Sequence, residues 1–129
     1  MNISPKPKQT LIDFKEIRKK EINNYRDSLL KKPILFNNTY FDTDSRSLMN
    51  LSYWHLQLNS GKELPEGFVW RDFYNIDIPA NSEFIKDLSL AITEKGTNIY
   101  KASWIHKANI DNLSSFEEVK NYNIEENWP

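Results

Sequence analysis

Helical and extended patterns alternate along this chain. From Leu11 to about Lys31 the larger apolar residues are Leu11, Phe14, Ile17, Ile22, Tyr25 and Leu29. Leu11, Phe14, Tyr25 and Leu29 fall on one stripe, with Arg18 and Ile22 between them and charge on the remaining surface, which predicts an amphipathic helix. Thr10 is placed to cap it, with Asp13 facing back, and Pro33 stops it. Residues 34–41, ILFNNTYF, predict a hairpin, because Asn37-Asn38 tolerates the positive φ that a two-residue turn demands. Asp42 or Asp44 is expected to cap a second helix. In it Leu48, Leu51, Trp54 and Leu58 recur at helical spacing up to Ser60, and Gly61 forms its C-terminal cap.

Residues 68–78, FVWRDFYNIDI, are aromatic and β-branched and predict a second strand pair or a bent strand, with Asp72 in the turn. Pro79 and Ala80 then open the longest helix, reaching about Ala108 and lined on one side by Phe84, Leu88, Ile92, Ile99, Ala102 and Ile105. Between Ile92 and Ile99 that stripe holds only Lys95 and Gly96, so a two-stranded coiled coil is disfavoured. Gly96 marks a close helix approach or a kink. Ser114 with Glu117 forms a capping box for a short last helix, and Trp128 is expected to dock its indole and tie down the end of the chain.

The fold class expected is mainly α with small β-hairpins (α+β). The order is long N-terminal helix, hairpin, helix, aromatic hairpin, long helix and short C-terminal helix. Residues 1–10 are read as a flexible N-terminus and residues 11–129 as a single helical domain. Helix 11–32 is the candidate to project as an oligomerisation or docking helix.

Composition sharpens the picture mainly by exclusion. With no cysteine among 129 residues, disulfides, thiolate catalysis and cysteine-ligated metal sites are ruled out. No apolar run approaches the length of a signal peptide core or a membrane span, so no membrane association is expected. The charge is unevenly placed. Residues 1–32 carry nine basic and four acidic side chains, +5, and residues 33–129 carry eight and fourteen, −6, so the first helix can pair with the rest, with a second copy or with an acidic partner. The 13% aromatic content suits a small core or a protein interface.

Candidate chemistry is sparse. His55 and His106 each lack a second histidine three or four residues away, and each is expected at a packing boundary or on the surface. Adjacent Glu117-Glu118 and Glu125-Glu126 cannot face one another across a helix. Asp72, Asp77 and Glu83 could share a carboxylate site, but turn and cap roles account for all three. Three glycines leave no phosphate-cradling loop, and no serine sits in an elbow context. No catalytic, cofactor or metal residue is therefore assigned, and no enzyme activity is expected. Phe68, Trp70, Phe73 and Tyr74 are expected to pack in the core; if exposed, they would mark a protein-binding face.

The span from about Phe14 to Pro129 resembles an uncharacterised family of phage and prophage domains encoded with tail or tail-fibre genes. Three blocks carry the resemblance: the helix-to-hairpin passage RDSLLKKPILFNNTYFDTDSRS, the tryptophan-centred strand FVWRDFYNI, and the long helix running into IHKANIDNLSSFEEVKNYNIEENWP. Within them Phe41, Asp42, Thr43, Asp44 and Ser47 match the aspartate-rich turn, Ile110 and Asp111 the link, and Trp128-Pro129 the ending. The chain departs in its shorter N-terminal part and its Asn-Asn hairpin.

The resemblance implies a non-catalytic tail-associated protein, either a tail-fibre assembly chaperone or a minor structural adaptor. It would act in the host cytoplasm or within the virion tail and bind a tail or tail-fibre protein. A homodimer or homotrimer is a further expectation. The candidate interaction residues are Phe14, Tyr25, Leu29, Trp70, Phe73 and Tyr74. Two alternatives stand beside this: an inhibitor that binds a host defence enzyme through the acidic body, and a nucleic-acid-binding module using the basic N-terminal helix. Asp13, Glu16, Glu21 and Asp27 dilute the latter.

Overall fold

A computed structural model describes residues 10–129; the flexible segment expected over residues 1–10 lies outside them except for Thr10. The described chain is mainly helical with two antiparallel hairpins, an α+β fold. In order its elements are α1 (Leu11–Leu30), β1 (Ile34–Phe36), β2 (Thr39–Phe41), α2 (Ser45–Asn59), β3 (Val69–Arg71), β4 (Asp77–Pro79), α3 (Ser82–Asp111) and α4 (Phe116–Asn121). Two compact units result. One is built from residues 10–28 with Asn98–Pro129, the other from Leu29–Thr97, and both α1 and α3 run through the division.

Local chemistry accounts for most element boundaries. The α1 capping box forms as expected: the Asp13 amide donates to Thr10 Oγ1 at 3.0 Å and the Thr10 amide to the Asp13 carboxylate at 3.4 Å. The β1–β2 register places Phe36 opposite Thr39, leaving a two-residue turn in which Asn37 and Asn38 have φ of 49° and 66°. Asp44 is the residue that caps α2, accepting from the Ser47 amide at 2.7 Å, and this bond holds its pKa below the usual carboxylate value. Gly61, at φ 92°, ends α2 in the left-handed conformation.

Two boundaries differ from expectation. Pro79 does not open α3 but pairs with Val69 in β4; Asn81 caps the helix instead, accepting from the Phe84 amide at 2.8 Å, and α3 continues to Asp111. The last helix is capped one residue later than expected, by Ser115 with Glu118 in place of Ser114 with Glu117. Ser115 has the extended backbone of a cap, its Oγ accepts from the Glu118 amide, and the Glu118 carboxylate reaches back to the Ser114 amide at 3.0 Å.

In the unit of residues 29–97 the core gathers Phe41, Leu51, Ala80, Ile85 and Leu88, with Phe36, Trp54, Phe68, Trp70 and Phe84 packed around them. Phe36, Phe41 and Phe84 meet edge to face, with centroids 5.5–6.2 Å apart. The buried Thr43 hydroxyl lies 3.0 Å from the Leu30 carbonyl and 2.9 Å from that of Lys32, so its one proton is shared between two acceptors at and just past the end of α1. Lys95, half-buried in the gap of the α3 stripe, donates toward the Lys32 and Pro33 carbonyls at 3.4 Å. Burial, and then the Lys32 charge, hold its pKa below the ordinary lysine value.

The other unit is centred on Ile22, Ile110 and Val119, with Leu11, Phe14, Leu113, Tyr122, Ile124 and Trp128 packed against them. Basic side chains of α1 serve as caps here. Lys15 donates to the Asp111 carbonyl and Lys19 to the Asp111 carboxylate, both at 2.8 Å, at the C-terminus of α3, where a cation is favoured. Arg18, in the middle of the apolar stripe, donates from Nε to the Val119 carbonyl at 3.2 Å and from its terminal nitrogen to the Tyr122 carbonyl, closing the end of α4. Its own charge is met by Glu21.

The α3 stripe also needs one correction. Ile105 is exposed, and Ser103, His106 and Ile110 are buried with Ile99 and Ala102. At about 100° per residue, His106 and Ile110 lie close to the direction of Ile99, whereas Ile105 is well over a quarter-turn away.

Candidate protein-interaction site

The five residues between β3 and β4 are ordered by one side chain. Asp72 is buried, and its Oδ1 accepts from the Tyr74 amide at 2.8 Å and the Ile76 amide at 2.9 Å, while Oδ2 accepts from the Thr39 hydroxyl at 3.0 Å. Burial pushes this carboxyl up, but the three bonds, from Ile76, Thr39 and Tyr74, outweigh it and hold the pKa below the usual carboxylate range. The Asp72 amide bonds the Ile76 carbonyl at 2.9 Å, and Asn75 adopts φ 64° to close the loop. The Phe73 amide donates to the Tyr40 carbonyl at 2.8 Å, so the two hairpins are joined by backbone as well as through Thr39.

This scaffold presents apolar side chains to solvent. Leu35 and Tyr40 are cross-strand partners on the outer face of β1–β2. Phe73 follows from the Tyr40 contact and meets Tyr74 edge to face, with centroids 5.4 Å apart. Phe73 is 45% exposed and Tyr74 59%, and Ile76 is exposed beside them. Rigid aromatic anchors bound to an ordered backbone are what a protein interface needs, since little side-chain entropy remains to be lost on binding. Asp42 and the Asp44 cap lie next in the chain after β2. Partial burial, and then the charges of Asp44 and Asp72, raise the Asp42 pKa, so this margin carries negative charge in close quarters.

The structure divides the six sequence-predicted residues. Phe73 and Tyr74 come together on the exposed surface. Trp70 is half-buried against the core, opposite Ile78. Phe14 stacks on Phe116 with centroids 5.5 Å apart and 17° between planes, and Tyr25 lies 5.4 Å from Trp128. Leu29 is half-buried near the end of α1. The sequence reading missed Leu35, Tyr40 and Ile76. For the first two a signal existed, since strict strand alternation sends Leu35 out between Ile34 and Phe36, and Tyr40 out beside Phe41.

A second constellation lies near the end of the chain. His106, expected at a boundary or on the surface, is only 2% exposed. Its Nδ1 is 2.6 Å from the Tyr122 hydroxyl, which also accepts from Asn109 Nδ2 at 3.0 Å. With Asn109 donating to Tyr122, the tyrosine proton is directed at Nδ1, and a neutral imidazole then carries its own proton on Nε2. That nitrogen is buried without a hydrogen bond of ordinary geometry. Burial lowers the His106 pKa, and the Glu126 backbone opposes the shift. His55, the other histidine, is half-buried, with Nδ1 3.0 Å from Ser89 Oγ.

Asp77 pairs with Arg71 at 3.0 Å across the β3–β4 strands, and Asp72 serves the turn. Among the described residues no three His, Asp or Glu side chains converge as metal ligands, and no helix is long and apolar enough to cross a membrane. A groove of about 660 Å³, lined by Leu58, Leu64, Phe68, Pro79, Ala80 and Asn81 among others, lies open beside the start of α3, with Lys62, Glu63 and Lys86 at its margin.

Among known families, the domain of unknown function DUF4376 matches over residues 13–125. No curated protein matches the chain. No solved structure matches it either.

Proposed function

This chain belongs to the DUF4376 family, and we propose that it is a non-catalytic phage tail-associated protein, a tail-fibre assembly chaperone or minor structural adaptor acting through protein contact. The observation that carries the contact is the exposed surface of Leu35, Tyr40, Phe73, Tyr74 and Ile76, held in place by buried Asp72. The association with tails rests on the resemblance in the hairpin, tryptophan-strand and Trp-Pro blocks. The acidic margin at Asp42 and Asp44 favours a partner that brings apolar anchors with a cationic rim.

Co-expression with the tail-fibre polypeptide encoded in the same genome tests the reading. The expected result is a soluble complex whose dissociation constant rises about thirty-fold or more when Phe73 and Tyr74 are both changed to Ala, the scale of losing an interface hot spot. Unchanged fibre solubility and no complex by light scattering would overturn it. Mass spectrometry of purified particles separates the two roles, because an adaptor remains in the particle and a chaperone does not.

A further inference from the structure

The α2 helix has two apolar faces, and the described residues cover one of them. Leu51, Trp54 and Leu58 face the core. On nearly the opposite side Met49, Tyr53 and Leu56, spaced four and then three residues apart, are 69%, 59% and 65% exposed. At about 100° per residue these three lie within about 60° of one another, a continuous stripe two turns long.

The charge on this helix is as unusual as its surface. In a chain with 27% charged residues, α2 contains no acidic residue and one formal charge, Arg46 near its N-terminus. The Ser60, Gly61 and Lys62 amides cap its last carbonyls, but its last turn holds no cation, so no side-chain charge within the helix offsets the negative end of the dipole.

We propose that this face of α2 is the docking surface for a second copy of the chain, paired antiparallel about a two-fold axis beside Tyr53. The pairing is self-complementary. Met49 and Leu56 are nearly equidistant from Tyr53, so each Met49 meets the partner copy's Leu56, as an isologous interface requires. Antiparallel dipoles attract, and Arg46 of one copy is carried to the negative end of the other copy's helix. Asp44 approaches the turn that holds Lys62 in the second copy. No acidic side chain of the helix faces its own image, so like-charge repulsion does not oppose contact. A heterologous partner with a charged face would gain nothing from a neutral stripe, whereas an identical stripe matches it in length and polarity. This interface is separate from the hairpin surface and stands or falls independently of the tail-associated reading.

The lack of native cysteine makes the test direct. Tyr53→Cys in the full chain is expected to oxidise to a covalent dimer at micromolar concentration. Met49→Cys and Leu56→Cys are expected to cross-link with each other when mixed and far more slowly alone, with exposed Lys101→Cys on α3 as the control. Sedimentation of the unmodified chain should show a dimer, and Leu56→Glu should raise its dissociation constant about thirty-fold or more. A chain that stays monomeric at every concentration would overturn the proposal. So would cross-linking of Lys101→Cys as fast as Tyr53→Cys, or a dimer indifferent to Leu56→Glu.

Discussion

His106 lies nearly flat against Trp128, with ring centroids 4.8 Å apart and 25° between the planes. The indole is fixed in turn, donating from Nε1 to the Ile124 carbonyl at 2.8 Å after Asn127 turns the chain at φ 63°. The last residues thus close over a histidine whose burial disfavours a second proton.

This relationship makes stability depend on pH. The folded-state pKa of His106 is depressed below its ordinary 6.5, so the unfolded chain binds more protons in that range and stability rises with pH. The contribution is complete above about 6.5 and is lost as pH falls below it, through the folded pKa. Thermal melts should show Tm declining between about pH 7 and 5. His106→Phe should flatten that segment of the curve; an equally steep decline in the variant would show that other groups cause it.

Trp128→Ala should remove the lid from His106 and the contact with Tyr25. The indole is half-buried, so the cost is expected near about 2–3 kcal/mol, below the range for a fully buried aromatic. Chemical denaturation measures it. A loss under about 0.5 kcal/mol would mean that the end of the chain is not held as described.

Arg18→Ala should fray α4. Two charge-assisted hydrogen bonds to the Val119 and Tyr122 carbonyls are lost, for about 2 kcal/mol. Arg18→Lys should recover only part, because an ammonium cannot reproduce the fork of the guanidinium. Hydrogen exchange should report faster amides in α4 and unchanged ones in α2.

Gly96→Ala should stabilise the chain by about 0.5–1 kcal/mol. Gly96 is helical, and a methyl group there would meet only the Leu30 side chain, at 4.0 Å, an ordinary contact. Gly96 therefore marks neither a kink that needs glycine nor a prohibitively close approach. A destabilised alanine variant would contradict this geometry.

Asp72→Ala should loosen the β3–β4 loop without unfolding the helices. The Tyr74 and Ile76 amides lose their acceptor, and their hydrogen exchange should quicken well beyond that of α3. Binding through Phe73 and Tyr74 should weaken in the same variant, because the anchors are no longer held in advance.

Element order, the Asn37-Asn38 turn, the Thr10 and Asp44 caps and the Gly61 stop were all legible in the chain, because each depends on residues within one turn of one another. Neighbouring choices of equal local merit were not. Ser114 with Glu117 and Ser115 with Glu118 satisfy the same capping rule, and only the path of the chain after Leu113 selects the second pair. Pro79 suits the first turn of a helix as well as the end of a strand, and pairing with Val69 decides it. Burial along α3 follows helical direction whatever the polarity, so His106 is inside and Ile105 outside, although hydropathy alone ranks them the other way. Arg18 looked like a flaw in an apolar stripe until α4 brought two bare carbonyls to it from a hundred residues away. Short-range torsion and capping rules can be read from the sequence; the assignment of partners across long separations is made when the chain packs.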